Sequence, residues 1–207
     1  MKRLAFYFFT AFIFLGLGSI ILAVPVGKSA PEFTATDSNG KAHKLSELKG
    51  KFVVLEWHNQ DCPFVVSQYK GKMEALQKKW TKKGVIWFSV ISSASGKEGS
   101  VTPAQANEDV QKHGASPTAT LMDSDGNVAH AYDAKTTPHM FVINPQSVLI
   151  YNGAIDNAPL EDKVVQKNKD GETFVNYVDK ALTEAMVHKA TVSISSTAPY
   201  GCHVKYK

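Results

Sequence analysis

A chain of 207 residues with 43% hydrophobic content is long enough to bury one core of ordinary domain size, and no repeat or low-complexity segment divides it. The formal charge of +4 is spread over lysines such as Lys78-Lys79 and Lys82-Lys83 in the company of Asp and Glu. That is the pattern of a solvated surface and argues against nucleic acid as a partner.

At the amino terminus Lys2-Arg3 precede an uncharged apolar stretch from Leu4 to Val26. It reads as an export segment. Residues 1–23 form a secretory signal ending at Ile21-Leu22-Ala23, although the stretch is also long enough to cross a bilayer as an uncleaved anchor. Either way the basic pair stays inside, so the domain is expected outside the cytoplasm, in the periplasm. In that oxidising space the two cysteines, Cys62 and Cys202, can form one disulfide. As a staple it would contribute about 4–5 kcal/mol in the chain-entropy account; as a reactive pair it would make Cys202 the resolving thiol.

Ala30 to Lys41 reads as a strand ending in an Asn39-Gly40 turn, a strong hairpin signal, and Ser46 to Gly50 as a short helical turn closed by glycine. Phe52 to Leu55 is apolar without alternation, as in a strand buried on both faces of a parallel sheet, and the strand runs to Trp57. A polar loop leads to Cys62-Pro63, which opens a helix to about Lys82, with Gly71 as a kink and Met73, Leu76 and Trp80 on one face. Val85 to Ile91 is a second central strand. Thr102-Pro-Ala-Gln105 is a capping box opening a helix that Gly114 closes. Thr118 to Met122 reads as a strand, Asp123 to Gly126 as a turn, and Phe141 to Gly153 as a hairpin around Asn144-Pro145. The last helix runs from Thr173 to about His188, with Phe174, Val178, Ala181, Leu182 and Ala185 in one stripe. A strand-like tail, Thr191 to Lys207, carries Pro199-Tyr-Gly-Cys-His203. The alternation of strands and helices predicts an α/β fold with helices on both faces of the sheet.

The chemistry is expected at Cys62. Pro63 lacks an N–H and has a φ suited to a first helical turn, so Cys62 lies beside unpaired backbone donors at the positive end of the helix dipole. A thiolate is stabilised there, and the thiolate is the nucleophile. A buried structural cysteine is the plain alternative; strand, loop and proline together favour the reactive one.

The segments Val26-Gly-Lys-Ser-Ala-Pro-Glu-Phe33 and Val54-Leu-Glu-Trp57, with Asp61-Cys-Pro63, resemble the thioredoxin superfamily. Within it they are most similar to the alkyl hydroperoxide reductase / thiol-specific antioxidant branch and its peroxiredoxin-like relatives, the redoxins, over about Val26 to Asn157. The resemblance implies a thioredoxin-like fold with a central mixed β-sheet. It also implies a redoxin domain over residues 26–190 and a tail over 191–207 that carries Cys202. Cys62 falls on the first cysteine of the thioredoxin Cys-x-x-Cys pair and Val65 on the second. The peroxiredoxin Thr or Ser and the upstream Pro are replaced by Asn59 and Leu55. Thr137-Pro138 matches the cis-proline that this superfamily sets against the reactive cysteine. Glu56 falls on the buried acid of thioredoxins, to relay protons, unless strand twist exposes it at an edge. Asn59 and nearby N–H groups are expected to hydrogen-bond a peroxide oxygen or the thiolate, and His58, His139 and His203 to be loop or surface histidines.

Three functions compete. In the first, Cys62 is oxidised by peroxide to a sulfenic acid, which condenses with Cys202 or an external thiol before a thiol reductant restores it. The resemblance assigns an arginine to polarise the peroxide, but no arginine follows Arg3. Lys70 or Lys72 would have to serve as a point charge without the planar fork, which predicts weak peroxidase activity. In the second, the protein is a thiol-disulfide oxidoreductase of envelope proteins. In the third, Cys62 with His58 or His139 carries copper without catalysis, although Val66 stands where a Cys-x-x-x-Cys carrier has its second cysteine. The first two need neither cofactor nor resident metal.

Overall fold

The computed structural model describes residues 25–161, 167 and 169–206. The export segment expected over residues 1–23 lies outside them. Among the described residues no helix is long and apolar enough to cross a membrane.

The hairpin comes first. Strands β1 (Thr34–Asp37) and β2 (Ala42–Lys44) pair antiparallel across the Asn39-Gly40 turn. The Asp37 carboxylate holds that turn, accepting from the N–H of Asn39 at 2.9 Å and of Lys41 at 3.0 Å. A 3₁₀ turn, Leu45–Leu48, leads into β3 (Val53–Trp57), where every residue is buried. β4 (Ile86–Ile91) and β5 (Ala119–Met122) continue the parallel core, and β6 (Thr136–Thr137) precedes the hairpin of β7 (Met140–Ile143) and β8 (Leu149–Gly153). The sheet order is β2-β1-β5-β4-β3-β7-β8. β3 lies between β4, parallel, and β7, antiparallel, so neither of its faces nor edges meets water. The expected mixed sheet is present.

Alternation along β3 sorts the core into two layers. Val53, Leu55 and Trp57 pack with Phe88, Val90, Leu121, Phe141 and Tyr132 on one face, under α4 (Asn127–Tyr132). Val54 packs on the other with Trp87, Met140 and Val142, under α1 (Pro63–Gln68), α2 (Lys72–Thr81) and α5 (Tyr177–Leu182). The α2 face of Met73, Leu76 and Trp80 is buried, as its spacing predicts. α3 (Pro103–His113) opens on the Thr102 capping box and ends at Gly114, in the left-handed region at φ 60°.

Four local expectations need correction. The helix expected from Pro63 to Lys82 is two helices, because Gly71 adopts φ +108° and the Glu74 carboxylate caps its N–H at 2.9 Å, starting α2 afresh. The last helix begins at Tyr177, not Thr173. Asn157 bonds the Thr173 carbonyl and the Val175 N–H, keeping that stretch non-helical, and Asn176 caps the Asp179 N–H. From Thr183 to Val187 the chain widens into a π-helical turn. α4 follows the Asp123–Gly126 turn unannounced: at six residues it is too short to show a period, and Asp123 stabilises it by accepting from the N–H groups of Val128 and Ala129. The tail is mostly irregular, its one strand β9 (Cys202–His203) pairing antiparallel with β6.

Candidate active site

The C-terminal end of β3 delivers a loop, His58 to Asp61, that turns the chain into α1. Asn59 shapes this loop. Its carbonyl accepts from the Cys62 N–H at 3.1 Å and its side-chain oxygen from the Asp61 N–H at 2.9 Å. The carboxamide also lies against Gly99, where an added Cβ would come within 2.4 Å of it. Asn59 therefore orders the backbone before the cysteine.

Cys62 is the N-cap of α1 with Pro63 in its first turn. Its sulfur lies 3.0 Å from the Thr137 carbonyl oxygen and 2.9 Å from Cys202 Sγ, beside a Thr137-Pro138 peptide bond that is cis. The fold thus brings Cys62, Pro63, Thr137, Pro138 and Cys202 to one point. Cys202 arrives there on β9, with Thr136 opposite His203 and Thr137 opposite Cys202. Both thiols are free, Cys62 fully buried and Cys202 partly exposed.

The two sulfurs differ electrostatically. Burial works against ionising Cys62, yet hydrogen bonds from the Cys202 and Thr137 side chains and the Val65 amide hold its thiol below the ordinary cysteine value. Burial and the neighbouring Cys62 charge push Cys202 up to about 12. Of the two sulfurs Cys62 is the easier to ionise and Cys202 the harder. Such an asymmetric dithiol suits exchange with a disulfide, in which one sulfur attacks and the other resolves.

Glu56 is only 1% exposed, which excludes an edge position, but it is not a lone acid. Tyr69 donates to it at 2.7 Å, Gln77 at 2.9 Å and Trp87 at 2.7 Å. The histidines also depart from expectation. His58 is buried, bonded to Asp109 at 3.0 Å and 3.8 Å from Glu56, a separation that makes an ion pair and not a hydrogen bond. His139 is buried, one nitrogen accepting from the Lys135 N–H and the other bonded to Asn152 at 2.7 Å. Of these three only His203 is exposed. Residue type alone gave no sign of this, because a loop beside β3 is surface in most chains and becomes interior here under α3. The copper reading gains nothing from this geometry: both nitrogens of His139 are bonded, and His58 is held between Asp109 and Glu56. Among the described residues no cluster of three or more His, Cys, Asp or Glu is arranged to hold a metal. Lys72, expected as a stand-in cation for a peroxide, is directed instead at the Asp156 carboxylate, 3.7 Å away, and at the Glu161 carbonyl.

These histidines set opposite pH dependences. Burial opposes charge on His58, but the Asp109 and Glu56 carboxylates outweigh it and raise it from 6.5 to about 9. Its contribution to stability is complete below about pH 6.5 and is lost as pH rises through about 9. Burial lowers His139 to about 4, the Asn152 bond offsetting only part of this. Its contribution is complete above about pH 6.5 and is lost as pH falls through about 4. Urea midpoints measured across that range should peak near pH 6.5, and His58→Gln should flatten only the alkaline flank; an unchanged flank in the variant refutes the assignment.

With this geometry in place, comparison with known proteins places the chain among relatives. A family model described as "AhpC/TSA family" matches residues 26–152. The chain is 28% identical over 160 residues to the thiol-disulfide oxidoreductase ResA of Bacillus subtilis (strain 168), covering 73% of this chain and 80% of that protein. Two solved structures share its fold. One is an uncharacterized conserved protein of Geobacillus kaustophilus, with TM-score 0.74 and 24% identity over 88% of this chain and 93% of that one. The other is a hypothetical protein of Sinorhizobium meliloti 1021, with TM-score 0.74 and 21% identity over 90% and 97%.

Proposed function

We propose that this chain, which belongs to the AhpC/TSA family, is a thiol-disulfide oxidoreductase working through Cys62 and Cys202. The observation that supports this reading above others is the 2.9 Å approach of the two sulfurs. The similarity to ResA supports it over the peroxide reading that the sequence puts first. So does the engagement of Lys72 with Asp156 and Glu161, which leaves its charge directed away from a peroxide role.

The Cys62 thiolate attacks one sulfur of a substrate disulfide, forming a mixed disulfide and releasing the first substrate thiolate, which takes a proton from water. Cys202 then loses its proton and attacks Cys62 Sγ. The Cys62–Cys202 disulfide forms as the second substrate thiolate leaves. The substrate gains two electrons and two protons, and the protein loses them. An external dithiol reduces the Cys62–Cys202 disulfide in two successive exchanges, itself becoming a disulfide, and resets the site. The substrates are disulfides of proteins outside the cytoplasm, reached through the export segment of residues 1–23.

The test is the mass of the purified protein before and after incubation with a peptide disulfide and, separately, with hydrogen peroxide. Loss of two hydrogens from the chain, mapped to Cys62 and Cys202, with two new thiols on the peptide, is the expected result. Oxidation by peroxide alone, with every disulfide left intact, would return the peroxidase reading. The same mass reports whether residues 1–23 have been removed.

A further inference from the structure

Cys62 has 0% of its surface exposed, so no substrate disulfide reaches it in the conformation described. The chain's own tail lies directly against it, with Cys202 Sγ 2.9 Å away. The tail is anchored on both sides of the site. Before it, the Thr197 N–H donates to the Asn152 carbonyl at 3.2 Å and the Thr197 hydroxyl accepts from the Ala154 N–H at 2.9 Å. After it, the Val204 N–H donates to the Lys135 carbonyl at 3.0 Å and the Ala94 N–H to the Lys205 carbonyl at 2.9 Å.

The stretch between these anchors is held by two separable devices. One is the antiparallel pairing of β9 with β6, possible only because Gly201 sits at φ +132°; a Cβ there would lie 2.0 Å from the Thr137 carbonyl oxygen. The other is a latch at Tyr200. Its hydroxyl donates to the Asp156 carboxylate at 2.5 Å and accepts from Gln68 at 3.1 Å, while its ring meets Phe64 with centroids 5.7 Å apart. Asp156 is itself buried and fixed by Gln68 and the Ala158 N–H.

The arrangement is that of a peptide complex made within one chain: an extended segment adds a strand at β6 and points a cysteine at the reactive sulfur. Strand addition of this kind takes its affinity from main-chain bonds and accepts many sequences. We propose that Tyr200–His203 is a tethered stand-in for the substrate. It occupies the β6 edge where an extended cysteine-bearing segment of a partner protein docks, and it lifts between its anchors before Cys62 exchanges with that partner. When the partner departs, the stand-in returns and carries Cys202 to the mixed disulfide. This rests on the thiol-disulfide reading above.

The test uses the full chain carrying Cys202→Ser, so that Cys62 is the one reacting sulfur. An extended peptide with its cysteine blocked as a disulfide with thionitrobenzoate is the probe; attack by Cys62 forms the peptide mixed disulfide and releases the coloured thiolate. Alkylation of Cys62 by iodoacetamide is measured in parallel. Gly201→Ala breaks the pairing, and Tyr200→Phe removes the hydroxyl bonds of the latch while keeping the ring that packs against the core. Each is expected to raise the peptide rate about tenfold, the scale of one lost charge-assisted hydrogen bond. Rates unchanged in both variants overturn the proposal. So does faster alkylation without faster peptide exchange, since the tail would then only shield the sulfur. Alkylation without exchange in any variant sinks the oxidoreductase reading instead, and the dependence of alkylation on the tail still decides whether a strap exists.

Discussion

Cys202→Ser is expected to turn a cycling enzyme into a trap. Cys62 keeps its place at the start of α1, its Val65 amide and its Thr137 neighbour, so the first exchange with a peptide disulfide proceeds. The mixed disulfide then has no sulfur beside it to resolve it. An external thiol must do so from solution, without the effective concentration that a 2.9 Å neighbour supplies. Turnover should fall at least about a hundredfold, a modest share of what such proximity contributes in well-oriented systems. The covalent adduct should accumulate one to one, visible by mass and released by a strong reductant. Cys62→Ser should give neither adduct nor turnover, because it removes the thiolate itself. A Cys202→Ser protein that cycles at the parent rate would show that the two sulfurs meet without working together.

The largest effect on stability is expected from Glu56→Leu. Three close donors converge on this carboxylate from three elements, Tyr69 from the turn after α1, Gln77 from α2 and Trp87 from β4, with the Ser89 hydroxyl farther off at 3.5 Å. Leucine fills the space but leaves the Tyr69 hydroxyl and the Trp87 N–H buried without that acceptor, while Gln77 keeps its bond to the Tyr69 hydroxyl at 3.0 Å. At about 1–3 kcal/mol for each of the two orphaned groups, the loss comes to roughly 2–6 kcal/mol, much of the whole stability of a typical domain. Urea unfolding followed by tryptophan fluorescence measures it. A loss under about 1 kcal/mol would mean that the donors find other partners. Because Glu56 is also one of the two carboxylates that hold the His58 charge, the alkaline flank of the stability profile should shrink in this variant.

What the sequence by itself determined is the set of features that short-range physics controls. The Asn39-Gly40 turn, the unbroken apolar strand before Trp57, the Thr102 to Gln105 capping box and the Cys62-Pro63 helix start each depend on residues within a few positions of one another. Backbone sterics and hydrogen bonding act at that range whatever the rest of the chain does. The cis Thr137-Pro138 bond was legible only through resemblance.

The tertiary structure alone decided the rest. Gly71 breaks the helix outright because Glu74 is placed to cap it, and the Asn157 carboxamide defers the last helix to Tyr177. His58 and His139 are interior because α3 and β8 close over them, which no property of a histidine announces. Above all, whether Cys202 reaches Cys62 depends on a tail that crosses β8, fastens at Asp156 and adds a strand at β6. Those contacts join residues far apart in the chain. Their free energy comes from surfaces that exist only once the sheet has assembled, so no local pattern encodes them.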